Sequence, residues 1–180
     1  MTAGQEPLRI DVLLLEYTHI KEEQRARIGF RDNLIYATVA AGGAVLAAVL
    51  QLHEGTRYLL LLPPVYLLLG WTYLVNDEKI TAIGRYIRES TAPQVMEITG
   101  TSRAVFGWEA AHRSDVHRQS RKRIQLGIDL LAFCVAPMAA VAIYLAYAPH
   151  SPLLLVALIE VLATVGLAVQ FVRYSASART

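Results

Sequence analysis

The chain has 180 residues, 54% of them hydrophobic, and a mean hydropathy of +0.37, which is too apolar for an ordinary soluble domain of this length. Its formal charge is +2, and its one cysteine, Cys134, lies in an apolar run. A single cysteine excludes an intramolecular disulfide, a cysteine-rich zinc site and a secreted disulfide scaffold.

Residues 1–7 lack the basic start of a secretory leader, and Leu8–Leu15 is interrupted by Arg9 and Asp11, so no cleaved leader is expected. Ile10, Leu13, Leu14, Tyr17 and Ile20 recur at three- and four-residue spacing, while Arg9, Asp11, Glu22 and Arg25 fall largely elsewhere. This pattern predicts an amphipathic helix over residues 8–31, ahead of the first apolar run. Glu23 stands four residues before Arg27, an order that favours the helix by about 0.3 kcal/mol.

Residues 34–52 carry no charge, and at about 1.5 Å per residue they are just long enough to cross a hydrocarbon core of roughly 30 Å. This is span one. Ala37, Ala40, Ala41, Gly42, Gly43, Ala44, Ala47 and Ala48 let another helix approach closely, either within the chain or from a second copy. The short link from His53 to Arg57 returns the chain as an antiparallel hairpin, and residues 58–75 form span two. Pro63 and Pro64 remove two backbone donors there and are expected to kink or loosen its first turns. Such a kink serves either shape or a gate of the kind found in transporters.

From Asp77 to Ser90 a further helix is expected, with Ile80, Ile83, Tyr86 and Ile87 on one face and Lys79, Arg85, Arg88 and Glu89 around the other. It suits the headgroup level or a coupling contact with the N-terminal helix. Ala92–Pro93 is expected to break it. Another helix is expected from Thr101 or Ser102 to Arg123, with Val105, Trp108, His112 and Val116 in register. Residues 76–125 thus form a helical region between two hairpins, and Arg118, Arg121, Lys122 and Arg123 make a basic cluster just before the next apolar run. Residues 126–148 are span three, with Pro137 inside it, and residues 152–172 are span four, joined to span three by a link too short for anything but a hairpin.

Of the 17 Lys and Arg residues, five precede span one, nine lie between spans two and three, two follow span four, and Arg57 alone falls in a hairpin link. This asymmetry predicts that both termini and the 76–125 region are cytoplasmic. The basic cluster then faces lipid, where anionic headgroups attract each cation by about 1 kcal/mol. The stacking aromatics or module signature of a nucleic-acid site are missing from it, so no nucleic-acid partner is expected.

Two carboxylates fall inside the spans. Asp129 enters span three by only a few residues, within reach of the interface or of Lys122 and Arg123. Glu160 is eight residues into span four, with no Lys, Arg or His at comparable depth in any span. It is expected to be neutral and bonded to a backbone carbonyl, or to face a wet cavity, and it is the residue for handling a proton or cation or for an oligomer contact.

Glu16 with His19 and Glu109 with His112 repeat a Glu-x-x-His spacing, which on helices can build a di-iron carboxylate site once further carboxylates join it. Glu23 and Glu97 have no spacing that specifies this role, and Tyr17 and Trp108 beside the motifs suit ordinary packing. Arg113 and His117 stand one residue short of the arginine–histidine spacing of prokaryotic and eukaryotic nucleotide-binding ribonucleases. No phosphate loop, Gly-x-Ser-x-Gly or Cys-x-x-Cys occurs, and no cofactor is expected.

Glu16-Tyr17, Gly70-Trp71, Asn76-Asp77, the block Ile80-x-x-Ile83-Gly84-x-Tyr86-Ile87-Arg88 and Gly107-Trp108-Glu109 together resemble a broad group of small bacterial four-pass membrane proteins without an assigned activity. The resemblance covers residues 16 to about 110. It implies an all-α integral membrane protein in the inner membrane, and by architecture it is similar to membrane effectors that accompany bacterial antiphage systems, which oligomerise and breach that membrane.

The expected fold is therefore one membrane domain over residues 1–180: four transmembrane helices in two hairpins and a cytoplasmic layer of amphipathic helices. The leading functional expectation is a non-enzymatic oligomeric module, scaffold or pore-like effector with a cytoplasmic input layer. The second is a small transporter or channel using Glu160, and the third a metal-dependent membrane enzyme using the paired Glu-x-x-His.

Overall fold

The computed structural model describes residues 5–52, 55–101, 103, 105–107, 118–147 and 152–177, apart from the side chains of residues 5–7, 118, 119 and 177. Every regular element among them is helical. In order these are α1 (Gln5–Gln51), a 3-10 turn (Gly55–Leu61), α2 (Leu62–Tyr86), a π turn (Ile87–Thr91), α3 (Ala92–Thr99), α4 (Arg118–Leu130), a second π turn (Leu131–Val135), α5 (Ala136–Tyr147) and α6 (Leu154–Ser177). The helical stretches Leu8–Gln51, Gly55–Thr99, Ser120–Tyr147 and Leu154–Ala176 are long and apolar enough to cross a bilayer. The chain is an all-α membrane protein with four such helices.

No break separates the N-terminal helix from span one, because α1 runs unbroken for 47 residues. Pro7 stands in its first turn, where an N–H has no partner within the helix in any case. Buried and half-buried positions spaced three and four apart begin at Ile10, Leu13, Tyr17 and Ile20, and continue through Gln24, Arg27, Arg31, Leu34, Thr38 and Ala41. This is the heptad spacing of a helix packed along one seam. The seam is apolar at both ends and polar in the middle.

Each internal proline changes the winding of its helix instead of ending it. Pro63 and Pro64 fall in the first turn of α2, directly after the 3-10 turn. The break expected at Ala92–Pro93 does not occur: the π turn Ile87–Thr91 leads straight into α3, and the Ala92 N–H bonds to the Ile87 carbonyl five residues back. A proline ring clashes with the carbonyl four residues before it in a regular α-helix, and widening the preceding turn relieves that clash. Pro137 follows the second π turn at the same two-residue distance. The helix stops instead at Gly100, whose φ of 61° makes the left-handed cap that glycine adopts without strain. Beyond it Thr101, Arg103, Val105 and Phe106 are not helical, so the helix expected to start at Thr101 or Ser102 does not start there. Most of the rest of that expected helix lies outside the described residues.

The chain divides into two compact units. One comprises Met1–Phe30 and Asn76–Arg118, the other Arg31–Val75 and Gln119–Thr180. In the second unit, Tyr66, Val141 and Tyr144 gather Leu59, Leu60 and Ala157 into one buried cluster, and Leu34, Tyr73, Phe133, Leu167 and Phe171 form another. Phe133 and Phe171 stack at 5.9 Å between ring centroids, and Tyr73 tilts against them at 5.1 and 6.3 Å. Such pairs contribute about 0.5–1.5 kcal/mol each.

Lipid tails are as apolar as leucine, so helices in a bilayer are held by close approach and not by the hydrophobic effect. Two glycines provide that approach. A Cβ on Gly42 would come 2.5 Å from the Tyr66 hydroxyl oxygen, and one on Gly70 would come 2.8 Å from Leu167 Cδ2 and 3.1 Å from Phe133 Cβ. Gly43, by contrast, faces open space. Gly70→Ala is accordingly expected to destabilise the protein by about 1–3 kcal/mol through overpacking. Thermal unfolding in detergent checks this, with Gly166→Ala, where an added Cβ also meets nothing within 4 Å, expected not to be destabilised.

Candidate functional site

In the first unit α1 and α2 run antiparallel. Asn76 is buried, and its amide donates to the Arg27 carbonyl at 2.6 Å while its side-chain oxygen accepts from Arg27 Nη1 at 3.4 Å. The Arg27 guanidinium also donates through Nε and Nη2 to one oxygen of Glu23, at 2.8 and 2.6 Å. Three residues earlier on α1, Gln24 donates to the Ile80 carbonyl at 3.3 Å and accepts from Lys21 Nζ at 2.6 Å. Gln24, Arg27 and Asn76 thus make a polar layer at the middle of the α1 seam. Hydrophobic periodicity does not reveal such a layer; the only signal in the sequence is that polar residues continue the seam's three- and four-residue spacing.

The expected coupling face on α2 is divided. Ile87 is wholly buried and Ile80 and Ile83 are half-buried, but Tyr86 is 41% exposed. It stands about 100° around the helix from Ile87, at the rim, where its hydroxyl donates to a Glu16 carboxylate oxygen at 2.7 Å. This bond raises the Tyr86 phenol above its ordinary value, with burial and the Glu16 charge adding to the effect and the hydroxyls of Ser90 and Thr91 opposing it. Next to Glu16, Tyr17 stacks on Phe106 at 4.0 Å with the rings 10° from parallel. Phe106 is a non-glycine residue at φ 57°, a left-handed conformation that needs surrounding contacts to hold it. Adjacent residues of α1 therefore hold α2 and the segment after Gly100.

The paired Glu-x-x-His motif is only half described. Glu16 is occupied by Tyr86, and His19 lies exposed with Nδ1 3.5 Å from Glu22. Glu109 and His112 lie outside the described residues, as do Arg113 and His117. Among the described residues no three His, Cys, Asp or Glu side chains gather closely enough to hold a metal.

In the second unit, Asp129 is 8% exposed and accepts from Gln125 Nε2 at 2.8 Å, and the same nitrogen reaches the Tyr73 hydroxyl at 3.0 Å. This network joins span two to span three and was not foreseen, because Gln125 stands outside the apolar run that defined the span. Glu160 is half-buried. Thr164 donates to its backbone carbonyl at 2.8 Å, and its carboxylate Oε2 is buried with no hydrogen-bond partner among the described residues.

In the basic cluster Arg121 and Arg123 are exposed and Lys122 is half-buried, while the Arg118 side chain is not described. Arg121 heads the line of Ile124, Ile128, Leu131 and Val135, all at least half exposed, so one helical face carries a cation at its end and hydrocarbon along its length.

Comparison with protein-family models, with curated proteins and with solved structures finds no match.

Two measurements test this geometry. Asn76→Leu keeps the volume but leaves the Arg27 guanidinium and carbonyl without their cross-helix partner, and should lower unfolding stability by about 1–2 kcal/mol. Because the folded value of Tyr86 is raised, its bond to Glu16 is intact below the ordinary phenol value of about 10 and is lost as pH rises through the raised value. The stability difference between wild type and Tyr86→Phe should therefore stay constant from neutral pH to about 10 and shrink above it, which melting curves across that range would check.

Proposed function

We propose that this chain is a non-enzymatic, homo-oligomeric module of the bacterial inner membrane, a scaffold or pore-like effector that takes its input through cytoplasmic helices. The observation that carries this reading is a contrast between two outward faces. On α6 the exposed residues are bulky: Leu155, Leu158, Ile159, Leu162, Val165 and Val169. On α1 the exposed face carries Ala40, Gly43, Ala44 and Ala47 at mid-span, set among the bulkier Tyr36, Val39, Leu46 and Leu50. Bulky faces suit lipid, whereas small residues are enriched where transmembrane helices meet. Only 11% of the apolar window of α1 is buried within the chain, against 44% for the window of α2, so span one has the most surface to offer a second copy.

The charge asymmetry supports cytoplasmic termini and a cytoplasmic location for residues 76–125. Arg121 and Arg123 then serve as contacts for anionic headgroups. The Gly70–Glu89 block, which carries the most specific part of the resemblance to small bacterial four-pass proteins, links span two to the cytoplasmic helices. Ile87 and the Asn76–Arg27 pair are the contacts through which input reaches the spans.

Mass measurement of the detergent-solubilised protein over a concentration series tests the reading, with Gly43→Leu and Ala47→Leu as variants. Wild type is expected to be oligomeric and the variants to shift toward monomer with unchanged helicity. A wild type that stays monomeric at all concentrations defeats the proposal.

One observation favours a second reading. The unpartnered Glu160 oxygen suits a small transporter or channel that handles protons or cations at mid-span. Flux into liposomes that is lost in Glu160→Gln supports it, and absent flux, or flux unchanged by the substitution, removes it.

A further inference from the structure

Span three is interrupted at Leu131–Val135 by a π turn that holds one residue more than a regular helical turn. Two features keep it wide. Pro137, fully buried two residues on, has no N–H and would press its ring against the Phe133 carbonyl if the helix were regular. Phe133, itself 1% exposed, fills the slot left by Gly70, in contact with Tyr73 and stacked on Phe171.

Nearly two helical turns upstream of the π turn, Gln125 bonds to both Asp129 and the Tyr73 hydroxyl. Tyr73 is thus touched twice by span three, by the Phe133 ring within the turn and by the Gln125 amide before it. Backbone hydrogen bonding alone favours closing the turn into a regular α-helix. The interactions on the two sides of the balance are few and local.

We infer that the π turn Leu131–Val135 is a two-state joint in span three: a wide form that seats Phe133 over Gly70, and a regular α-helical form that turns the preceding part of α4 about its axis and breaks the bond from Gln125 to Tyr73. Removing one residue from a turn rotates what precedes it by about 100° and shifts it by about 1.5 Å. The conversion carries Asp129 and Gln125 away from span two. It also moves Cys134 from its 6% exposed position toward the outward face that Leu131 and Val135 occupy. The first π turn, before Pro93, belongs to the other compact unit, so a change at Pro93 leaves the turn around Cys134 as it is. This inference is independent of the oligomeric reading, since the joint lies within one chain.

Cys134 is the only cysteine in the chain and reports on the joint without added probes. Full-length protein in vesicles of phosphatidylethanolamine and phosphatidylglycerol is treated with a membrane-permeant maleimide, and modification is followed by intact mass. Wild type is expected to react slowly but to completion. Pro137→Ala, which frees the turn to close, should react about tenfold faster, and Pro93→Ala should match wild type. If Pro137→Ala does not insert, Phe133→Leu removes the wedge while leaving Pro137 in place, and the same acceleration is expected of it. The inference is overturned if wild-type Cys134 remains unmodified while the variant reacts fully, since the turn is then fixed. It is equally overturned if the variants react at the wild-type rate.

Discussion

The bond between Asn76 and Arg27 is the constraint on which the pairing of the two longest helices depends. Along an apolar seam in a membrane, sliding one helix past another by a turn exchanges one set of dispersion contacts for a similar set. A buried amide that must meet one particular carbonyl and one guanidinium permits no such exchange. The Asn76 side chain satisfies both its donor and its acceptor on Arg27 alone, and Glu23 holds the guanidinium in place for it. A polar residue at a seam position gives up some stability and fixes register in return, as in coiled coils. The contacts on either side then follow: Gln24 reaches the Ile80 carbonyl, and Glu16 meets Tyr86.

Proline has the complementary role. Where the polar layer fixes which residues meet, the prolines fix how each helix is wound as it arrives. The 3-10 turn before Pro63 tightens the backbone, and the π turns before Pro93 and Pro137 widen it. A widened turn re-aims the residues on either side of it. Ile87 and Thr91 are both fully buried in one such turn, and Phe133 and Cys134, neighbours in sequence, are both buried in the other.

The apolar runs and their hairpin pairing were legible because absence of charge over a sufficient length is a property of composition, and short links leave one geometry. The N-terminal amphipathic face was legible as well: Ile10, Leu13, Tyr17 and Ile20 all face inward, though Leu14 is 42% exposed. Three features were not. The unbroken α1 was hidden because its seam turns polar at Gln24, Arg27 and Arg31, and hydrophobic periodicity reads a polar seam as a surface. The continuation past Ala92–Pro93 was hidden because a proline in sequence signals a break, and only three-dimensional packing favours a π turn instead. Tyr86 was grouped with Ile87 by its aromatic bulk, whereas its hydroxyl takes it to the rim. At the candidate sites, the sequence singled out Glu160 by its isolation, and its carboxylate Oε2 is buried with no hydrogen-bond partner among the described residues. Gln125 carried no signal of its own, and Asn76 entered only as part of the resemblance, since amides are common and their structural importance arises from what they face.

The polar middle of α1 also bears on the order in which the protein is made. Asn76 follows Arg27 by 49 residues, so at about 5–20 residues per second several seconds pass between the synthesis of the two. During that interval the Arg27 guanidinium has Glu23 and water for partners, and a cation so held stays at the interface. Span one therefore begins its residence in the bilayer anchored at one depth, with its small-residue face unpaired. Arg27 has no access to this partner until Asn76 has been made and has emerged, so the first hairpin cannot take this register before then.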